Sequence, residues 1–374
     1  MTDSANAAAT AAPAMTSGWR REAPALVGMG LLYLGSILLA MAFSATFIEQ
    51  DIRAFEDPED LTNPLLYLAF VVVFTVAILL IVKYLGRQWL KVIILAAVAM
   101  TIYYVAAPLT AELVGGLTPL IVGTVLAVGL TALLWVYPEW YIVDAAGVLV
   151  AAGAAGIFGI SFGLLPSLLL LVAFAVYDAI AVYRTKHMLD LADNVLELRL
   201  PIMFVVPKTL SYSFLTETRR TRPEAGAEES GEAPAGGTSA AVAADRAADG
   251  AAPEGARDAR VADDAEAGKA EADDEASDGH DAMFMGLGDA VIPGVLAVSS
   301  LSFLDAGVTF VGQPGNVVVA FAALAGSFVG FAVLMWAVMK GNAHAGLPLL
   351  NAGAIAGFLL ALLPLYGLAP IWPF

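Results

Sequence analysis

The sequence predicts an all-α polytopic membrane protein of nine transmembrane helices. The N-terminus is expected on the cytoplasmic side, the C-terminus outside, and a large, partly disordered loop between helices six and seven. Three observations carry that expectation. The 374 residues are 59% hydrophobic and 14% charged, whereas a soluble chain carries roughly a quarter charged residues. Apolar runs of about 20 residues, enough to cross a hydrocarbon core, recur along the chain. Lysine and arginine collect on one side of those runs.

The elements follow in order. Residues 1-19 are a small, Ala/Thr/Ser-rich stretch read as a disordered tail. Nine apolar segments come next, at about 24-44, 64-83, 89-108, 115-137, 140-160, 162-184, 283-305, 315-339 and 345-367. The first, with Arg20-Arg21 before it and Ala40-Met41-Ala42 at its end, also has the outline of a signal peptide. Its length favours a retained helix. With the N-terminus inside, 17 of the 18 basic residues fall in cytoplasmic connections, and Arg53 alone falls outside. Residues 20-186 thus form a six-helix N-terminal membrane part and residues 283-374 a three-helix C-terminal one.

Between them lie two further pieces. Residues 187-208 read as a surface segment. In HMLDLADNVLELRL, Met188, Leu191, Val195 and Leu198 share one helical face with the acids mostly opposite, as in a helix lying on a membrane. PIMFVVPK (201-208), between prolines, reads as a strand or a re-entrant piece. Residues 209-282 are an acidic linker: from 223 to 281 there are 17 Asp/Glu against four Lys/Arg. An Ala/Asp/Glu-rich stretch with almost no aromatics cannot form a core and is expected to be disordered. A salt-loving source, such as a halophilic archaeon, and an ordinary solvated linker explain its acidity equally well. Because the acidic excess belongs to this one segment, nucleic acid is not an expected partner.

Composition also excludes chemistry. There is no cysteine, so thiolates and disulfides are ruled out. The three histidines, His187, His280 and His344, are scattered, with no pair at metal-ligand spacing and none within a span core. No phosphate-binding or dinucleotide-binding glycine loop appears. No metal and no cofactor are expected.

What remains is two acids deep in apolar spans. Asp178 lies in LLLLVAFAVYDAIAVY (168-183) and Asp289 in MFMGLGDAVIPGVLAVSSLSFL (283-304). Other acids, including Asp51, Glu112, Asp144 and Asp305, fall near span ends where water is expected to reach them. A carboxylate within the bilayer costs at least ~2.5-3.5 kcal/mol, which marks it as a functional candidate. Asp178 is six residues before Arg184 and Asp289 six after Met283, so each lies ~9 Å in from the cytoplasmic end of its span. The two spans are consecutive and antiparallel, so the acids can share a site. Two carboxylates a few ångströms apart in low dielectric hold one proton between them. One can then take a proton from water while the other gives one to a carbonyl oxygen. A proton or cation path through a channel or transporter is the alternative use. Gly286 and Gly288 bare the backbone beside Asp289, either for access or for close helix packing. Pro293 frees the carbonyl of Asp289 and is expected to loosen the helix there.

These motifs resemble those of the GxGD intramembrane aspartyl proteases, the presenilins and signal peptide peptidases. The resemblance is carried by Tyr177-Asp178, by Gly286-Leu287-Gly288-Asp289 and by GLPLLNAG (346-353), with the nine-span layout and the loop between spans six and seven. GLGDAVIPG is closer to the signal peptide peptidase form, while the charge-derived orientation resembles that of presenilins. Of the family, the archaeal presenilin-like members are the most similar. The resemblance implies Asp178 and Asp289 as the catalytic pair, with Tyr177, Gly286, Leu287, Gly288, Gly346, Leu347 and Pro348 positioning substrate. Leu347 and Pro348 match the family's PAL element, whereas Ala345 and Gly346 stand where it has proline and alanine. It further implies single-span membrane helices as substrates, embedded in membrane lipid, and all the residues this chemistry needs are present in one chain. PIMFVVPK could add a strand to an unwound substrate, or be a surface loop. A channel or transporter using the two aspartates remains the alternative; it would predict inverted repeats and a polar path, and neither is visible. A prepilin-type peptidase also carries GxGD but would have fewer spans.

Overall fold

Nine long helices build the computed structural model, which describes residues 3-113, 116-184, 203-208, 282-340 and 345-372. They are α1 (Asp3–Glu49), α2 (Thr62–Tyr84), α3 (Arg87–Leu113), α4 (Thr118–Val136), α5 (Trp140–Ser161), α6 (Leu164–Arg184), α7 (Leu287–Phe303), α8 (Gly315–Val338) and α9 (Gly346–Tyr366). Two short strands, β1 (Met203–Pro207) and β2 (Ala282–Gly286), pair between α6 and α7. A hairpin of β3 (Thr309–Phe310) and β4 (Gln313–Pro314) joins α7 to α8. All described residues belong to one compact unit. The amphipathic stretch expected at 187-200 and the acidic linker up to residue 281 lie outside the described residues, as does His344.

Eight of the nine helices are long and apolar enough to cross a membrane. The exception is α7, with 17 residues. The uniform helix expected over 283-305 is instead a strand followed by a helix. AMFMG (282-286) pairs antiparallel with MFVVP (203-207), Met203 opposite Gly286 and Pro207 opposite Ala282. The pairing with β1 holds these residues extended, and the geometry of the chain allows it. An extended residue rises about 3.3 Å against 1.5 Å in a helix, so five strand residues cover the depth of about eleven helical ones. The low helix propensity of Gly286 and Gly288 favours the changeover at that point. Helix α7 then runs without a break past Pro293. The opening expected at Asp289 through Pro293 therefore lies on the other side of the aspartate, in the extended segment before it. At the chain's start, α1 reaches back to Asp3, through residues expected to be an unstructured tail. Their alanine-rich composition is strongly helix-favouring.

Helices meet where side chains are smallest. A Cβ on Gly326 or Gly330 of α8 would strike the backbone of α9 at Gly353 and Leu349, and one on Gly353 or Gly357 would strike α8. This small-xxx-small pairing lets two backbones touch. Gly159 of α5 faces Val298 of α7, and Gly294 of α7 faces Ala155 of α5 and Ile37 of α1. The sheet is seated in the same way: a Cβ on Gly28 of α1 would meet Val206 at 2.8 Å, and one on Gly147 of α5 would meet Phe204 at 3.3 Å. Phe204 and Val205 are fully buried as a result. At the end of β1, Lys208 pairs with Glu22 of α1 at 3.9 Å.

Candidate active site

Three elements deliver the groups of the site. Asp178 stands six residues before the end of α6, and Asp289 is in the first turn of α7, three residues beyond the last strand residue. Helix α9 begins between them. Its first residues, Gly346 and Leu347, follow the extended N-cap Ala345, and Pro348 sits in the first turn, where a missing N–H costs nothing. The backbone N–H groups that open a helix have no partner within it. Here the N–H of Leu347 donates to Oδ2 of Asp178 at 3.1 Å.

The neighbouring residue serves the other carboxylate. A Cβ at Gly346 would lie 3.2 Å from Oδ2 of Asp289 and 3.5 Å from its Cγ. Two consecutive residues of α9 thus border the two acids, which stand close enough for the charge of Asp178 to be felt at Asp289. Each aspartate is partly exposed as a residue, and the carboxyl group of Asp289 is the more deeply enclosed of the two.

The openness is on the glycine side. Gly286 and Gly288 are exposed; a Cβ on Gly288 would meet nothing, and one on Gly286 would meet only Asp289 itself, at 3.8 Å. Close helix packing therefore does not account for these two glycines. Between them Leu287 turns the other way. It is buried, and a Cβ on Gly147 of α5 would touch its Cδ2 at 3.2 Å. Tyr177 is exposed beside Asp178, with its ring edge-on to Phe174 at 6.5 Å. Pro348 is half-buried. Of the residues singled out from the sequence, Asp178, Asp289, Gly286, Gly346 and Leu347 come together. Tyr177, Gly288 and Pro348 flank them. Among the described residues no group of three acids or histidines could hold a metal ion.

Two residues of the site region were not singled out from the sequence as functional candidates. Asn351, one turn into α9 from Leu347, is fully buried and donates its amide to the carbonyl of Leu171 at 2.8 Å. This clasp ties α9 to α6 two turns before Asp178. An amide in the middle of an apolar span was the available signal. Asp144, expected at a wet span end, is 5% exposed and accepts the N–H of Val205 at 2.7 Å. Its position near the start of α5 suggested water; β1, packed across that end, excludes it.

With this geometry in hand, comparisons with known proteins are specific. A family model described as signal-peptide peptidase, presenilin aspartyl protease matches residues 29-366. The chain is also similar to a solved presenilin family intramembrane aspartate protease in a C222 crystal form. The two share 31% identity with a TM-score of 0.57, over 90% of this chain and 98% of that one. A P2 crystal form of such a protease gives 31% identity and a TM-score of 0.55, over 89% and 96%. No curated protein sequence matches. None of these matches lends support to a channel or transporter. Spanning helices, paired acids at the head of α9 and a family match over most of the length agree: the chain belongs to the signal-peptide peptidase and presenilin aspartyl protease family and is a multi-pass integral membrane protein, an intramembrane aspartyl endopeptidase.

Proposed function

We propose that Asp178 and Asp289 form the catalytic pair and hydrolyse peptide bonds within the transmembrane helices of membrane-protein substrates. The observation that carries this reading is the convergence of both carboxylates on Gly346 and Leu347. Asp178, held by a helix N-terminal N–H, is the member that carries the negative charge and draws a proton from the attacking water. Asp289, in the more enclosed position, holds the shared proton and gives it to the oxygen of the scissile carbonyl. The tetrahedral diol then collapses: Asp178 returns its proton to the leaving amine as the C–N bond breaks, and Asp289 takes one back from a diol hydroxyl, which becomes the oxygen of the product carboxyl group. Each step conserves one proton on the pair, so no further group is required.

The surroundings support handling of an unwound substrate. A helical peptide bond is hydrogen-bonded and shielded, and it must be extended before water can attack it. The exposed glycines at 286 and 288 leave backbone open beside Asp289, where β1 begins and β2 ends. We assign substrate positioning to Tyr177, Gly286, Leu287, Gly288, Gly346, Leu347 and Pro348. The strand at 203-207 already pairs with β2, so a substrate strand would join this two-stranded sheet as a third. The charge pattern supports a cytoplasmic N-terminus and an external C-terminus, with substrates whose own N-terminus is outside. A single chain suffices for activity in this reading.

The test is cleavage of a single-span substrate in liposomes by wild type, Asp178→Ala and Asp289→Ala. Each variant is expected to fall to background while keeping the wild-type unfolding temperature. Full cleavage by either one ends the proposal. Clean cleavage of only the opposite substrate orientation would end the assignment of topology.

A further inference from the structure

Asp144 is the carboxylate that the catalytic chemistry does not use, and its placement is specific. It lies in the second turn of α5, 5% exposed, with Oδ1 2.7 Å from the N–H of Val205. Val205 is the central residue of β1 and fully buried. Its N–H turns to Asp144 and away from the partner strand, where Phe284 lies opposite. A hydrogen bond from a buried N–H to a carboxylate is among the stronger ones a protein makes, and an orphaned N–H at a dry site is costly.

Of the nearby shifted registers, only one that brought Met203 to Asp144 could remake this bond. A slip of β1 by one residue would turn the buried side chain of Val205 to the opposite face. A slip by two in one direction would bring Pro207 to Asp144, and proline has no N–H to give. Because β1 is paired with β2 residue for residue, fixing β1 against α5 fixes β2 as well. Met203 stands opposite Gly286, and Asp289 follows three residues later. The height of the sheet beside the aspartate pair is therefore set from α5, where Gly147, one turn beyond Asp144, also seats Phe204 and Leu287.

We infer that Asp144 is a positioning residue: by locking Val205 it fixes the register of the β1–β2 sheet and so selects which substrate bond reaches Asp178 and Asp289. The inference rests on the proposed role of that pair. It makes Asp144 a determinant of cleavage site, without contact to substrate or to the reacting atoms.

The experiment uses the full chain in liposomes with a single-span substrate, reading product masses together with KM and kcat. Asp144→Asn keeps the acceptor oxygen and is expected to keep the wild-type main product. Asp144→Leu removes the acceptor, and Val205→Pro removes the donor while leaving α5 intact. Each is expected to spread cleavage over neighbouring bonds and to raise KM by about 10-fold, with kcat changed far less. The double variant is expected to match the singles, because both remove the same bond. A purely structural role would lower the yield of active enzyme and leave the product pattern unchanged. Should Asp144→Leu fail to assemble, Val205→Pro decides alone. Wild-type product distribution and KM in Val205→Pro would overturn the inference. Dyad-dependent cleavage indifferent to these variants removes only the role of Asp144; cleavage that survives loss of Asp178 or Asp289 removes the underlying function instead.

Discussion

Helices α2 and α5 have nearly the same length and opposite surroundings. Past Asn63 and Pro64, no residue of α2 is buried, and Leu65, Phe70 and Val73 are each more than 60% exposed. Helix α5 is mostly buried and touches α1, α3, α7 and the sheet. Yet α2 is the more apolar of the two. In water the order would be reversed. Lipid tails are as apolar as leucine, so large side chains gain nothing by hiding from them, and burial goes to the helix whose neighbours can approach most closely. Helix α5 has four glycines and α2 has none. In this protein smallness marks the inside, and the aspartate pair stands where the close-packed helices meet.

That contrast can be broken by substitution. The largest effect is expected on the polar side of the packed region. Loss of Asp178 or Asp289 should remove at least ~100-fold of the cleavage rate with little change in unfolding temperature. In wild type, activity should be bell-shaped in pH, since below the range both acids are protonated and no base remains, while above it both are ionised and no acid remains. A profile with one limb would show that the two acids do not act as a pair.

Next comes Gly346, where a Cβ would crowd Asp289 at 3.2 Å and Leu334 at 3.4 Å. Gly346→Val should lower kcat by up to ~100-fold, because displacing a reacting group by about 1 Å has that cost. Gly346→Ala should be milder. Unchanged kcat in the valine variant would mean that this residue does not hold Asp289 in place. A smaller effect is expected within α5. Gly159→Val meets Val298 head-on and should destabilise by about 1-3 kcal/mol, read as a lowered unfolding temperature in detergent. The smallest belongs to α2, where Val73→Ala should change stability by less than about 0.5 kcal/mol. A larger shift for Val73 than for Gly159 would overturn the comparison.

Much of this could be read along the chain. Apolar length located the eight spanning helices, since a bilayer demands it whatever the neighbours, and an apolar run marked the shorter α7. The two deep acids stood out for the same reason. What misled was the assumption that an apolar run is one helix: residues 282-286 are extended because 203-207, some eighty positions earlier, lies beside them. Asp144 was assigned to water because it is near a span end, and only the strand packed over it shows otherwise. Gly286 and Gly288 could equally have been packing residues or open backbone until their surroundings were known.

The sequence by itself determined the membrane setting and the family and picked out the two deep acids, because each follows from residue type and spacing. The tertiary structure alone decided that the head of α9 meets both carboxylates, that a strand enters the site before Asp289, and that Asp144 holds this strand. Those are contacts between segments up to 169 residues apart, as between Asp178 and Leu347. No local pattern encodes them, because they depend on which small residues let which helices approach.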